Sequence, residues 1–334
     1  LSAKGEWTPH VVWMDASGNL DGSWEAPQGV IHPASGIVSL GGVPHFMCMD
    51  QVTLQPILFA APSAGQVVEI GRLSGGQYPL CFGSDANENP FLVAYERQSR
   101  RTMFYQLNAS GAVTGIKGFN NLQEIDDLVL AHIKRQKVYP FFAGALPGGG
   151  YYFNGLVNYS YSFLFIDQEL NQQALYQGTQ YKGGVAAALP LGEGWAVHRY
   201  LNNEMYFDFP VSVATSGIFT AQNLGGGLKF DWMPGTPVRF ESHRLDGKSY
   251  LLVGYTGTDA QMHLSVLSSS GQELGTFDLG QGAPARLADM AIDQDGGVVL
   301  CGSFTVAGQF VRPGLFKLDY NELRLLAGLE EEES

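Results

Sequence analysis

Residues 288–306, ADMAIDQDGGVVLCGSFTV, contain the pattern that decides the fold. Apolar residues alternate as far as Ile292, a turn rich in Asp and Gly occupies 293–297, and a second apolar run begins at Val298. Two apolar strands around a glycine-rich turn are typical of a β-hairpin. The same strand-turn-strand pattern occurs again at residues 37–50, 70–83, 143–157, 185–200 and 238–255.

The spacing of these hairpins predicts the fold class. Their turns are centred near residues 42, 76, 149, 193, 247 and 296. A second type of hairpin follows several of them, at residues 104–116, 163–176, 263–277 and 315–326, and the segment 10–24 resembles it. Two hairpins make a four-stranded antiparallel sheet, and a period of roughly 40 to 50 residues is typical of propeller blades. The sequence therefore predicts an all-β propeller of six four-stranded blades, with seven as an alternative.

The chain is predicted to have one domain with short extensions. Residues 1–9 are expected to form an N-terminal extension, residues 10–329 a single propeller, and residues 330–334 an acidic tail. Within the long interval after the second turn, residues 120–137 have apolar residues at helical spacing, which favours a helical insertion. A strand hairpin is the competing interpretation of that segment.

Charge and composition exclude several classes of partner. The formal net charge is −13, and the 19 Lys and Arg residues are scattered along the chain. Nucleic acids and anionic membrane surfaces both require clustered cations, so neither is an expected partner. No apolar stretch reaches the length of about 18 residues that a membrane span needs.

Cysteines and acidic turns give no clear metal or cofactor site. Cys48, Cys81 and Cys301 each follow a glycine-rich turn within an apolar strand, which predicts small buried hydrophobic residues rather than ligands or disulfides. Asp293 and Asp295 could begin a calcium loop, but the residues directly after Asp295 are apolar instead of acidic, so ordinary turn chemistry is favoured. No cofactor and no metal ligand is predicted.

Two glycine-rich turns suggest a family. The segments DGKSYLLVGYT at 246–256 and DGGVVLCGSFT at 295–305 resemble the units of bacterial exported β-propeller repeat proteins, which read DGGYLLVGYT. The resemblance covers roughly residues 236–320. It implies an extracellular or cell-surface location, and such repeats carry no catalytic residues to transfer.

Candidate binding residues are aromatic side chains and two His-Arg pairs in neighbouring units. The aromatic residues could stack on sugar or peptide groups, although packing between blades uses the same residue types. The pairs could face one rim or the axial channel if they occupied corresponding positions, or they could be ordinary exposed strand residues. The candidate binding residues are Trp195, His198, Arg199, Tyr200, Trp232, His243 and Arg244.

Three functions are consistent with a propeller that lacks a recognisable catalytic motif. The first is a non-catalytic exported or cell-surface protein that binds a protein or a glycan through one face of the ring. The second is a hydrolase or lyase that acts on a polysaccharide in the axial channel. The third is a scaffold subunit of a larger surface or secretion assembly. Because Gly-x-Ser-x-Gly and other short catalytic motifs are absent from the sequence, we favour the non-catalytic function.

Overall fold

The structure is a computed structural model, and the part of the chain that it describes is all-β apart from one short helix. It describes residues 10–14, 20–31, 36–85, 87–119, 143–146, 149–157, 160–177, 185–192, 194–201, 204–211, 228–233, 236, 238–279, 285–303 and 314–329. The chain divides into two compact units, residues 1–134 with 141–175 and residues 135–140 with 176–334.

The first unit contains a short hairpin and three larger antiparallel sheets. The N-terminal hairpin consists of β1 (His10–Met14) and β2 (Leu20–Glu25). The first sheet consists of β3 (Val30–Ile31), β4 (Ile37–Leu40), β5 (Val43–Asp50), β6 (Pro56–Ser63) and β7 (Gln66–Arg72). The second consists of β8 (Gln77–Ser84), β9 (Pro90–Glu96), β10 (Arg101–Leu107) and β11 (Val113–Phe119). The third consists of β12 (Ala143–Ala145), β13 (Tyr151–Val157), β14 (Ser160–Ile166) and β15 (Gln172–Gln177), and the unit boundary falls within β15.

The second unit contains three sheets and the helix. The fourth sheet consists of β16 (Val185–Leu191), β17 (Gly194–Leu201), β18 (Glu204–Val211) and β19 (Leu228–Phe230). The fifth consists of β20 (Arg239–Leu245), β21 (Lys248–Thr256), β22 (Met262–Ser268) and β23 (Glu273–Leu279). The sixth consists of β24 (Arg286–Ile292), β25 (Val298–Ser303) and β26 (Leu315–Leu318), and α1 (Tyr320–Leu326) follows it.

The sheets have a β-propeller arrangement. From the second sheet onwards, each sheet runs through its strands in sequence order. In the first unit β8 lies beside β12 and beside β4, the second strand of the first sheet. In the second unit β20 lies beside β16 and β24, so the first strands of these three sheets are neighbours. Five sheets in the described part of the chain have four or more strands, fewer than the six or seven blades that the sequence predicts. The sixth sheet has three described strands.

Successive sheets pack face to face through apolar and aromatic side chains. In the first unit Phe104 of the second sheet packs against Tyr151 and Phe153 of the third, with ring centroids 4.6 and 5.7 Å apart. In the second unit a cluster that includes Leu252, Leu264 and Leu300 joins the fifth and sixth sheets and is fully buried. Both faces of a sheet are thus covered, which explains the continuous apolar runs in the middle strands.

A turn closed by its own side chain recurs in several sheets. In the turn between β24 and β25, the Asp293 amide donates to the Gly297 carbonyl, and Asp293 Oδ1 accepts from the amides of Asp295 and Gly297 at 3.0 and 2.7 Å. Asp85 and Asp167 close their turns in the same way. The prediction that Asp293 and Asp295 belong to a turn is therefore confirmed.

One predicted hairpin is instead a connection between sheets. The glycine-rich turn near residue 76 joins β7 to β8, which belong to the first and second sheets and do not pair with each other. The hairpin that opens the second sheet turns at residues 85–89, between β8 and β9. A glycine-rich turn between apolar strands gives the same sequence signal in both settings.

The predicted hairpin at 315–326 is also wrong in its second half. After β26 the chain forms α1, whose N-cap Asp319 accepts from the Glu322 amide while Glu322 accepts from the Asp319 amide. This capping box satisfies two amides that helix formation leaves unpaired. The helix is fixed to the β20–β21 turn, because Asp246 accepts from Arg324 Nε at 2.9 Å and from the Tyr320 hydroxyl at 3.2 Å.

Several predicted features lie outside the described residues. They are the N-terminal extension 1–9, the insertion 120–137 and the acidic tail 330–334. The single-domain organisation of residues 10–329 stays a prediction. Within the described part, no helix has the length and apolar character needed to cross a membrane.

The capping box gives a stability prediction. We expect Asp319→Ala to lower the free energy of unfolding by about 1 kcal/mol, because the helix loses its N-cap. Asn321→Ala, an exposed position in the same helix, is the matched control and should cost less. Chemical denaturation measures both, and equal effects of the two variants would contradict the role of the cap.

Candidate binding site on the first strands of the fifth and sixth sheets

The strand β20 presents its two faces to two different sheets. Phe240 points towards the fourth sheet, where its ring lies 5.6 Å from His198 and 5.3 Å from Phe207. Arg239 and His243, on the alternate face, contact residues of the sixth sheet. Successive residues of a strand point to opposite faces, so Glu241 shares the face of Arg239 and His243. The sequence RFESHRL therefore places three polar side chains along one boundary between sheets.

An ion pair joins the first strands of these two sheets. Arg239 Nε donates to Asp289 Oδ1 at 2.6 Å, and the two side chains are 26% and 57% exposed. Asp289 follows an irregularity in the pairing of β24 with β25, between Leu287 and Asp289. Such irregularities redirect side chains, and here an acidic group comes to the surface of a strand whose neighbours Leu287 and Met290 are buried.

Glu241 completes a group of charged residues that we call the first-strand cluster: Arg239, Glu241 and Asp289. Glu241 is exposed, yet surrounding protein atoms remove part of the hydration of its carboxylate. This desolvation, together with the negative charge of Asp289, raises the pKa of Glu241 to about 7. The cluster therefore holds one carboxylate in an ion pair and a second that is partly protonated at neutral pH.

His243 connects the cluster's strand to the turn that follows β24. Its Nε2 lies 2.9 Å from the Gly296 carbonyl oxygen, and because a carbonyl only accepts, Nε2 is the donor. Burial lowers the pKa of His243, while the Gly296 carbonyl and Asp293 act in the opposite direction. The same turn is held from the other side by Lys317, whose Nζ lies 2.5 Å from Asp293 Oδ2. His243 thus has a structural contact that fixes the turn beside the cluster.

The other predicted histidine, His198, is completely buried. It lies on β17, stacks on Phe207 with ring centroids 4.9 Å apart, and meets Phe240 edge-on. Burial lowers the pKa of His198 to about 3, so the ring is neutral at physiological pH. Its location in the core differs from the rim or channel position that the sequence suggests.

The remaining predicted residues are spread over several locations. Trp232 is buried, and its indole Nε1 donates to the Thr236 carbonyl at 3.1 Å. Trp195 is half-buried on β17, and Arg244 is exposed on β20. Arg199 and Tyr200 lie in β17, but their side chains are outside the described part. The five predicted residues whose side chains the structure describes do not lie in one site, and the binding role of all seven stays a prediction.

The two His-Arg pairs do not occupy corresponding positions. His198 lies on the second strand of the fourth sheet, whereas His243 lies on the first strand of the fifth. Within β20, His243 and Arg244 point to opposite faces because they are adjacent in the strand. The sequence-based candidates did not include Arg239, Glu241 or Asp289. The alternation Arg-x-Glu-x-His in β20 is the sequence signal that could have identified the first two.

A second group of charged residues surrounds His263. Its Nδ1 lies 2.6 Å from Asp278 and its Nε2 lies 3.1 Å from Asp259, while the ring stacks on Tyr255. Both ring nitrogens are occupied by contacts within the protein, so this group joins a turn to two strands. Among the described residues, no three acidic, His or Cys side chains are placed to hold a metal ion.

Two of the three cysteines are core residues as predicted. Cys48 and Cys81 are buried free thiols, and burial raises the pKa of each to about 12. Cys301 is half-buried and lies opposite Asp289 in the β24–β25 pairing. Desolvation and, to a lesser degree, Asp289 raise its pKa.

Comparison with known proteins identifies the fold but no family. The chain is similar in structure to a Trypanosoma rangeli sialidase in complex with sialic acid, with a TM-score of 0.54, 12% identity, and coverage of 96% of this chain and 58% of the sialidase. It is also similar to a functionally unknown protein from Desulfotomaculum acetoxidans DSM 771, with a TM-score of 0.51, 8% identity, and coverage of 93% and 96%. No family model matches the sequence, and no curated protein matches it either.

The buried histidine predicts a pH dependence of stability. The low pKa of His198 means that the unfolded chain binds the additional proton as pH falls below about 6.5. Stability contributed by neutral His198 is therefore complete above that pH and decreases towards pH 3, by about 1.4 kcal/mol per pH unit. His198→Leu should show a smaller loss in acid than the wild type. Equal acid sensitivity in denaturant titrations at pH 7 and pH 5 would contradict this assignment.

Glu241 should have the opposite pH dependence. Its raised pKa means that the folded chain holds a proton between pH 4.5 and 7, so stability is present at low pH and is lost as pH rises through 7. We expect Glu241→Gln to raise the melting temperature relative to the wild type at pH 8 but not at pH 4, by a modest amount because solvent reaches the side chain. Glu25→Gln, which changes another exposed glutamate, should leave the melting temperature equal to that of the wild type at both pH values.

Proposed function

We propose that this chain is a non-catalytic, exported or cell-surface protein that binds a glycan at the first-strand cluster. The observation that supports this most is the exposed combination of the Arg239–Asp289 ion pair with Glu241 on two adjacent first strands. Carboxylates accept hydrogen bonds from sugar hydroxyls, and a guanidinium donates to ring and hydroxyl oxygens. An ion pair held between two strands offers a hydrogen-bond donor and an acceptor side by side.

Rigidity favours binding at this position. Arg239 is held by Asp289 and also donates from Nη1 to the Val238 carbonyl at 3.1 Å. Asp289 additionally accepts from the Met290 amide at 3.0 Å. Side chains that are already ordered lose little conformational entropy when a ligand arrives. The sialidase with a similar fold is known in complex with sialic acid, so the architecture is compatible with a glycan in that protein.

One observation favours a catalytic alternative, a polysaccharide hydrolase. A carboxyl group that is partly protonated near pH 7, beside an ionised carboxylate, is the arrangement that glycosidases use for general acid catalysis. Burial raises the pKa of Glu241 to about 7, and Asp289 lies in an ion pair with Arg239. In this alternative Glu241 would be the acid, and Asp289, paired with Arg239, the ionised partner.

The proposed function is tested with a glycan array followed by titration of the best ligand. We expect Asp289→Asn to weaken binding about tenfold or more, because a charge-assisted hydrogen bond is lost. Asp21→Asn, an exposed acid in the N-terminal hairpin, should bind like the wild type. The absence of any glycan ligand would overturn the proposal. Release of reducing ends from a bound polysaccharide, lost in Glu241→Gln, would favour the hydrolase.

A further inference from the structure

The turn between β21 and β22 carries an alanine where a related turn of the same sheet carries a glycine. The Ala260 amide donates to the Gly257 carbonyl at 3.0 Å, and the Gly271 amide donates to the Ser268 carbonyl at 2.9 Å. Ala260 has a φ of 61° and Gly271 a φ of 85°. This left-handed region is unfavourable for alanine but not for glycine. The turn at 257–261 therefore carries backbone strain that contacts from outside the turn must offset.

The same turn contacts the chain segments on both sides of the fifth sheet. The Thr258 amide donates to the Asp231 carbonyl at 3.1 Å, and its hydroxyl donates to Asp231 Oδ2 at 2.6 Å. The Ala260 carbonyl accepts from the Ala285 amide at 2.8 Å. Asp231 follows β19 and Ala285 precedes β24, so the turn connects the fifth sheet to the ends of its two neighbours.

His263 holds this turn from β22, the strand that follows it. Its Nε2 lies 3.1 Å from Asp259 Oδ1 in the turn, and its Nδ1 lies 2.6 Å from Asp278 Oδ1 on β23. An ionised carboxylate only accepts hydrogen bonds, so both ring nitrogens must carry a proton for both contacts to form. The two contacts together require the positively charged imidazolium.

Asp259 is an ionised partner for this ring. Only 14% of the His263 side chain is exposed, and the ring stacks on Tyr255 with centroids 5.0 Å apart. Desolvation alone would raise the pKa of Asp259, but hydrogen bonds from the Gln261 amide and from His263 lower that pKa below its usual range. At neutral pH the Asp259 carboxylate therefore attracts the imidazolium.

Besides the turn itself, three strands bring titratable or charged groups near the ring. Asp278 and Glu273 lie on β23, and the hydroxyl of Tyr255 lies on β21. Burial raises the pKa of Tyr255 to about 12, so this hydroxyl stays neutral. From the fourth sheet, β19 directs Phe230 against Tyr255, and its neighbour Lys229 points to the opposite face. Imidazole is the side-chain group that ordinarily changes charge between pH 5 and pH 8.

From this geometry we infer that His263 is a pH-sensitive switch for the turn at 257–261. When the ring is protonated, it holds Asp259, and with it the strained turn, next to β23. When pH rises and the ring loses a proton, one nitrogen can still donate, and the shorter contact to Asp278 is retained. The lone pair of Nε2 then faces the Asp259 carboxylate, which repels it, so the turn is released. The contact is thus present at low pH and is lost as pH increases.

Release of the turn also affects the residues bound to it. The amides of Thr258 and Ala285 open more often at high pH, and the fifth sheet is then joined more loosely to the segments before and after it. None of these residues belongs to the first-strand cluster, so the switch does not depend on the proposed function.

The test is amide hydrogen exchange of the full chain at pH 5.5 and pH 8.0, read by mass spectrometry of the peptide that contains residues 257–261. Exchange times are scaled for the intrinsic effect of pH. We expect the scaled exchange to be about fivefold faster at pH 8.0, because one charge pair at a partly exposed site is lost. The turn at 268–272 has the same backbone hydrogen bonds and contains no histidine, so it is the internal reference and should show no difference.

Two variants assign the effect to the proposed pair. Asp259→Asn keeps an oxygen that accepts from the Gln261 amide, at 2.9 Å in the wild type, but removes the negative charge. Its turn should exchange equally at both pH values, at the fast rate of the wild type at pH 8.0. His263→Gln, whose side chain does not change charge, should behave in the same way. Asp85→Asn makes the matched change in a turn of the first unit and should leave the pH effect intact.

Three results would overturn the switch. The first is equal scaled exchange of the wild-type turn at the two pH values. The second is a change of the same size in the reference turn, because the whole sheet would then respond to pH. The third is a pH effect that persists in Asp259→Asn, because the titrating contact would then lie elsewhere. Circular dichroism confirms that each variant is folded, and Asp259→Asn alone decides if His263→Gln does not fold.

Discussion

The burial of the second and fifth sheets on both faces is the constraint on which the rest of the structure depends. A strand in such a sheet has no free side, so its odd and even residues must each match a different neighbour. In the second sheet Phe91 packs against Tyr151 of the third, while the adjacent Leu92 belongs to a core with Met47 and Leu58 of the first. Changing the register by one residue would exchange these two sets and place every side chain against the wrong sheet.

The same constraint explains why charged groups appear where they do. A first strand has neighbours on both faces but is bounded by another strand on only one edge, so solvent reaches it more readily than it reaches the middle strands. In β20 the face towards the fourth sheet carries Phe240, which packs on His198 and Phe207. The face towards the sixth sheet carries Arg239 and Glu241, which solvent can still hydrate. The function that we propose follows from this difference between two faces of one strand.

Much of the fold could be predicted because its signals are local. The turn at 293–297 is closed by the side chain of its own Asp293, so the sequence DQDGG is sufficient to identify it. The turn near residue 76 was misread because pairing partners lie outside the segment: whether β8 follows β7 in one sheet depends on residues up to Glu96. The helix after Asp319 was missed although its capping pair Asp-x-x-Glu was visible, since a repeating hairpin was expected there.

The candidate site was harder to predict, for a physical reason. Pairs of adjacent residues, such as His243 and Arg244, attract notice in a sequence, but neighbours in a strand point apart. The pairs that matter are alternate residues of one strand and residues of the next sheet. Arg239 and Glu241 could have been grouped by their spacing. Their partner Asp289 lies 50 positions after Arg239, and only the packing of two sheets brings these residues together.

The attachment of α1 has a mechanical consequence. The helix belongs in sequence to the sixth sheet, yet Arg324 and Tyr320 both bind Asp246 of the fifth. A pulling force applied at the C-terminal end of α1 would therefore not separate β26 from β25 as the first event. The force would first act on the three hydrogen bonds between α1 and Asp246 and on the buried side chain of Leu323. Through these contacts it would reach the turn between β20 and β21. The helix thus distributes a force applied at its C-terminal end over the fifth and sixth sheets.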